Sequence, residues 1–82
     1  MKKSEITVYD ATLIAWNDIN YPNELDGKIY VHGLTLIGRT RAITHRPALN
    51  DGTIFRKLRK LRADGKLNYR VKSRELSIYE KI

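Results

Sequence analysis

Apolar residues recur along this chain with two periods, and the switch between them divides it. From Thr7 to about Asn20, Tyr9, Thr12, Leu13, Trp16 and Ile19 return at helical spacing, and Thr7 with Asp10 resembles a capping box, so a first helix is expected over 8–20. Asn20, Tyr21, Pro22 and Asn23 end it, because the residue before proline avoids the α region and asparagine favours turns. Leu25 is expected to fold back beneath that helix. After the Asp26–Gly27 turn, the β-branched run Lys28–Val31 predicts a brief strand, too short to pair alone. A second helix is expected over 33–45, with His32 as its cap and Pro47 beyond its end. Its Leu34, Ile37, Gly38 and Ala42 share one side, whereas Leu36 and Ile43 fall on another, so a helix buried on two sides or irregular near Gly38 is expected.

The third helix, over 51–63, has the cleanest pattern. Asp51 is read as its N-cap and Gly65 as the left-handed residue that closes it. At about 100° per residue, Ile54, Phe55, Leu58 and Leu61 form one apolar stripe, while Thr53, Arg56 and Lys60 project nearly opposite. Lys57 and Arg59 flank the basic side, and Arg62 lies beside the apolar stripe, where its stem can pack. Between this helix and the second, Leu49 can plug the corner. Beyond Gly65 the period becomes two. Leu67, Tyr69 and Val71 alternate with Asn68, Arg70 and Lys72, and Leu76, Ile78, Glu80 and Ile82 alternate with Ser77, Tyr79 and Lys81. Strands over 67–72 and 76–81 are expected, joined by a four-residue tip from Lys72 to Glu75. Val71 would then face Leu76, and Tyr69 would face Ile78.

Size and charge narrow the function. Eighty-two residues make one small domain, read as a single unit over 1–82, without room for a cleft between two domains. The absence of cysteine excludes disulfides, thiolate metal sites and a thiol nucleophile, and agrees with a reducing compartment. No apolar run suits a membrane span or a secretory leader, so a cytoplasmic, nucleoid-associated protein is expected. His32 and His45 have no carboxylate at metal or triad spacing, which argues against an enzyme, a metal site or a cofactor. The net charge of +7 is uneven: residues 39–74 hold twelve Lys/Arg and only Asp51 and Asp64. A single-signed block of this kind is the electrostatic footprint of a polyanion binder.

The order helix, short strand, helix, turn, basic helix, two-stranded hairpin resembles the winged helix-turn-helix superfamily. The specific likeness lies in THRPALNDGTIFRKLRKLRADGKLNYRV, residues 44–71, where leucine spacing seats a basic helix and Asp-Gly opens a charged wing. YVHGLTLI, residues 30–37, also resembles the start of the second helix in PadR-type regulators, although no C-terminal dimerisation helix follows the wing here. The resemblance implies an α+β winged-helix fold and sequence-specific binding of double-stranded DNA by a small bacterial or phage-like transcription regulator. It implies that the N-terminal half of the third helix enters the major groove, with Thr53, Arg56, Lys57 and Lys60 toward the bases. Lys72, Ser73 and Arg74 at the wing tip, with Arg70 beside them, would reach the flanking groove or backbone, and Arg39, Arg41 and Arg46 would clamp the neighbouring strand. Two rivals stand beside this reading. In one, the domain is a protein-interaction module of a nucleoprotein assembly such as replication or packaging machinery, with the weakly acidic first helix, Leu36 and Ile43 as its contact surface. In the other, the hairpin binds RNA, with Tyr79 free to stack. A homodimer through the edge of the closing strand, or a recruited protein, would complete a regulator.

Overall fold

The computed structural model describes residues 6–82; the first five residues of the N-terminal stretch weighed as a leader or span lie outside them. The elements follow as α1 (Val8–Asp18), β1 (Tyr30–His32), α2 (Gly33–Thr44), α3 (Asp51–Ala63), β2 (Tyr69–Ser73) and β3 (Ile78–Lys81). Three helices and a three-stranded antiparallel sheet of order β1-β3-β2 form a small α+β domain. No helix among the described residues is long and apolar enough to cross a membrane.

Thr7 caps α1, its Oγ1 accepting from the Asp10 N–H at 3.1 Å. The helix ends two residues before the expected Asn20, and Ile19, already extended, is buried in the core. That core joins Ala15, Trp16 and Ile19 to Val31, Leu36, Ile37, Ile54, Leu58 and Tyr69, with Leu49 packed at its margin. Leu25 does not fold back. It sits at the tip of the 23–28 turn, 95% exposed, because Asn23 and Asp26 accept backbone N–H bonds that hold the turn outward.

α2 buries Gly33, Leu36, Ile37 and Thr40, so a residue from each of the two apolar sides reaches the core, while Gly38 and Ala42 are turned to solvent. The reason is Thr40: its hydroxyl donates to the Leu36 carbonyl at 2.8 Å, so a satisfied threonine can be buried like an apolar residue. Leu36 is therefore core and cannot belong to a contact surface. His32 occupies the cap position without any side-chain capping bond. Gly33 explains the entry into α2. Its N–H donates to the Ser77 carbonyl at 2.7 Å, and a Cβ there would stand 2.8 Å from Ser77 Cβ and 3.0 Å from Phe55 Cζ.

The hairpin differs from the expected register. Val71 pairs with Tyr79 and Tyr69 with Lys81, a bulge follows Val71, and the tip is Arg74–Ser77, two residues later than anticipated. β1 decides this outcome. Val31 pairs with Tyr79 across the other edge of β3, so Tyr79 must share the helix-facing side with Val31 and Val71. An aromatic ring buries more apolar surface there than Leu76, which is left exposed at the tip. Because β3 is paired on both edges, it has no free edge for the anticipated self-association.

Candidate nucleic-acid interface

Ile54, Leu58 and Leu61 are buried at one-turn intervals and fix the orientation of α3. Asn50, rather than Asp51, caps the helix: its Oδ1 accepts from the Gly52 N–H at 2.7 Å, and Asp51 lies in the first turn, where its charge suits the helix dipole. The far end closes as a Schellman motif. Gly65, at φ 76°, donates to the Arg62 carbonyl, and Lys66 donates to that of Leu61.

With the leucine face seated, Arg56, Arg59 and Lys60 point to solvent, while Thr53 and Lys57 are half-buried on one flank. No described carboxylate lies within 4.0 Å of Arg56 or Arg59. Lys60 differs from expectation, because its Nζ is 3.2 Å from Asp64 Oδ1. Asp64 is held on its other oxygen by the Tyr9 hydroxyl, which donates at 2.6 Å. The Tyr9 bond, and after it the Lys60 bond, keeps the Asp64 carboxyl below its usual range, and the same Tyr9–Asp64 bond is the largest cause that pushes the Tyr9 phenol up to about 12. The Lys60 pair is solvent-exposed, so water screens it and a phosphate can compete for the ammonium.

The other flank of α3 faces the hairpin across a groove of about 570 Å³, lined by Arg59, Arg62, Ala63, Tyr69, Val71, Ser73, Arg74, Ser77 and Tyr79. Its wall holds three guanidinium groups and no acid. Arg62 stacks over Tyr69 with its central carbon 4.6 Å from the ring centre. Tyr69 in turn packs edge-on against Tyr79 at 5.1 Å and tilts against Trp16 at 5.6 Å, while Phe55 covers Tyr79 at 6.2 Å. Tyr79 is thus a fixed floor member and not a free stacking platform; burial raises its pKa, against the pull of the nearby Arg59 charge. Arg59 and Arg62 were not among the sequence candidates. The available signal was Arg62 at the edge of the stripe, one flank away from an alternating Tyr69.

The remaining candidates do not form one surface. On α2, Arg39 lies on the Leu36–Ile43 flank, about 160° round the helix from Arg41, and its Nε is buried without a partner. The Arg41 Nε donates to the Leu49 carbonyl at 2.8 Å and braces the turn before α3. Arg46 is exposed just after His45, whose φ of 57° ends α2 in a second Schellman turn. Of the expected clamp, Arg41 is tied to the turn before α3, Arg39 lies on the core flank and Arg46 is exposed. Arg70 pairs across the sheet with Glu80, on the face turned away from the helices. Lys72 lies near enough to Asp26 to help lower its pKa, behind the larger effects of the Tyr30 hydroxyl and the Lys28 N–H. Ser73 Oγ accepts from the Leu76 N–H and shapes the tip, and Arg74 joins the groove.

Near the N-terminus of α3 the surface changes character. Leu34, 84% exposed, and Leu76, 69% exposed, line a hollow with Asp51 and Glu75. Among the described residues no three His, Asp or Glu side chains gather as metal ligands. Comparison with protein-family models, with curated proteins and with solved structures returned no match to this chain.

Proposed function

We propose that this chain is a winged-helix domain that binds double-stranded DNA and acts as a small transcription regulator by occupying its site. The observation that carries this reading is the seating of α3: Ile54, Leu58 and Leu61 are buried, which turns Arg56 and Arg59 outward with no described acid beside them. Exposed like charges raise the free energy of the isolated fold, and a polyanion relieves that repulsion while releasing its counterions. The element order and the β1-β3-β2 sheet are also those that a winged helix requires. Arg56 is the residue for direct readout, since a guanidinium can bond both acceptors of a guanine edge.

Fluorescence anisotropy on a labelled duplex at two salt concentrations tests this. The parent should bind with a log–log salt slope of about −4 to −5, and Arg56→Ala/Lys60→Ala should weaken binding by about tenfold or more. Equal affinity for parent and double variant would sink the assignment. A second reading, a protein-interaction module, is favoured by one feature, the exposed pair Leu34 and Leu76. If it holds, Leu34→Ser/Leu76→Ser should abolish capture of a protein partner while duplex binding is absent in the parent.

A further inference from the structure

An acid stands at each end of α3, but Asp64 is already held by Lys60 and Tyr9, whereas Asp51 has no described cation within 4.0 Å, and this difference opposes entry by the helix N-terminus. The first turn presents Asp51, and beside it Glu75 closes a hollow with Leu34 and Leu76. A phosphate backbone approaching there would meet two carboxylates. Cations begin only at Arg56 and continue through Arg59 toward the groove that α3 shares with the hairpin. Resting on the duplex-binding reading, we infer that one phosphodiester strand lies in this groove, held by Arg59, Arg62 and Arg74, so that the middle and C-terminal half of α3 meets the DNA.

Three properties of the groove support that occupant. Three arginines and no acid line it, and a planar guanidinium fork matches phosphate oxygens two at a time. Arg62 is held in place at the groove, its guanidinium carbon lying over the Tyr69 ring 4.6 Å from the centre. Arg59 belongs both to the solvent-facing side of α3 and to the groove lining, so it connects the base-reading position of Arg56 to the wing.

The experiment measures the salt slope of duplex binding for the full chain, with thermal melting as a control for folding. Arg59→Gln/Arg74→Gln removes two exposed charges and should reduce the slope by about 1.8, at roughly 0.9 per phosphate released. Arg59→Lys/Arg74→Lys should keep the slope, because each ammonium still neutralises a phosphate. Asp51→Asn should change affinity by less than about twofold, because no phosphate lies close to that end of the helix. An unchanged slope in the glutamine variant, with Arg56→Ala still weakening binding, would overturn the groove assignment and leave duplex binding standing. A gain of about tenfold from Asp51→Asn would equally overturn it, by placing the backbone at the N-terminal end. Absence of duplex binding by the parent would instead remove the reading on which the inference rests.

Discussion

On the side of the hairpin that meets α3, Arg59, Arg62 and Arg74 share a groove that contains no carboxylate. On the opposite side, cations stand among acids: Lys28 is 3.6 Å from Glu80, Arg70 stands opposite the same glutamate in the strand register, and Lys72 acts on Asp26. Both sides draw their cations largely from one block of sequence whose charge is almost entirely positive. Folding sorts that block, because consecutive strand residues go to opposite faces and only one face has acids, Asp26 from the turn before β1 and Glu80 from β3. The teaching is that a net charge summed along a segment overstates the charge of any one surface, and what remains unpaired is the part available to a ligand.

The largest test of the contrast strikes the groove floor. Tyr69 is buried between Trp16, Tyr79 and Arg62, so Tyr69→Ala should cost about 3–5 kcal/mol, read from the urea midpoint. A loss below about 1 kcal/mol would mean that the ring packs less tightly than its surroundings require. The junction between hairpin and helices comes next. Gly33→Ala forces a Cβ against Ser77 and Phe55 and should cost about 1–3 kcal/mol. Ser77 sits at a positive φ of 54°, so adding Ser77→Gly removes the nearest obstacle and relieves strain at once. The pair should be markedly less destabilising than the sum of the two changes. Strict additivity would show that the close approach is not what requires glycine at position 33.

How far these two regions could be read from sequence follows from the range of the interactions involved. The helix α3 was legible because Ile54, Leu58 and Leu61 repeat within the helix itself, and its far end because Gly65 closes it locally. The hairpin strands were legible as alternation, but not their register. Moving the pairing to place Tyr79 inward depends on Val31, nearly fifty residues away, and nothing near Val71 reports it. Buried Glu80 was unreadable for the same reason, since its partner Lys28 comes from the turn before β1. In α2 the burial of Thr40 was unreadable for a local reason instead: it counts as polar by composition but bonds its own helix. Arg59 and Arg62 were passed over because their surroundings are supplied by the hairpin, whose position no helical period reveals.

The contrast sharpens further in binding. If the outer face contributes nothing to a polyanion, Arg70→Gln/Lys72→Gln should leave the salt slope within about 0.5 of the parent, against a fall of about 1.8 when two groove arginines are removed. Equal falls from both pairs would show that the wing lies flat on the duplex and that acids on the outer face do not withhold their cations. A smaller effect is expected away from both faces, at the end of α2. His45 holds the left-handed position of a Schellman turn, and His45→Gly should stabilise the domain by about 0.5–1 kcal/mol, the steric relief less the added entropy of the unfolded chain. A lower melting temperature would mean that the imidazole makes a compensating interaction.

The subtlest comparison uses one kind of bond that occurs in both regions. Tyr9 donates to Asp64 at the end of α3, and Tyr30 donates to Asp26 beside the outer face, each at 2.6 Å. Each phenol is pushed up to about 12, chiefly by that bond. Because the folded state favours the protonated phenol, the stabilisation is complete below the ordinary value of 10.0 and is lost as pH rises from there through about 12. The carboxyl partners shift the other way, so their stabilisation is complete above 3.8 and is lost as pH falls through their lowered values. Between those limits the contribution of these two pairs is constant with pH. Chemical denaturation across the alkaline range should show Tyr9→Phe and Tyr30→Phe each removing part of the loss. The two effects should add, because one bond ties α1 to the end of α3 and the other closes the turn before β1, with no shared partner. A non-additive result would couple the helix end to the outer sheet face and contradict the separation of the two charged regions.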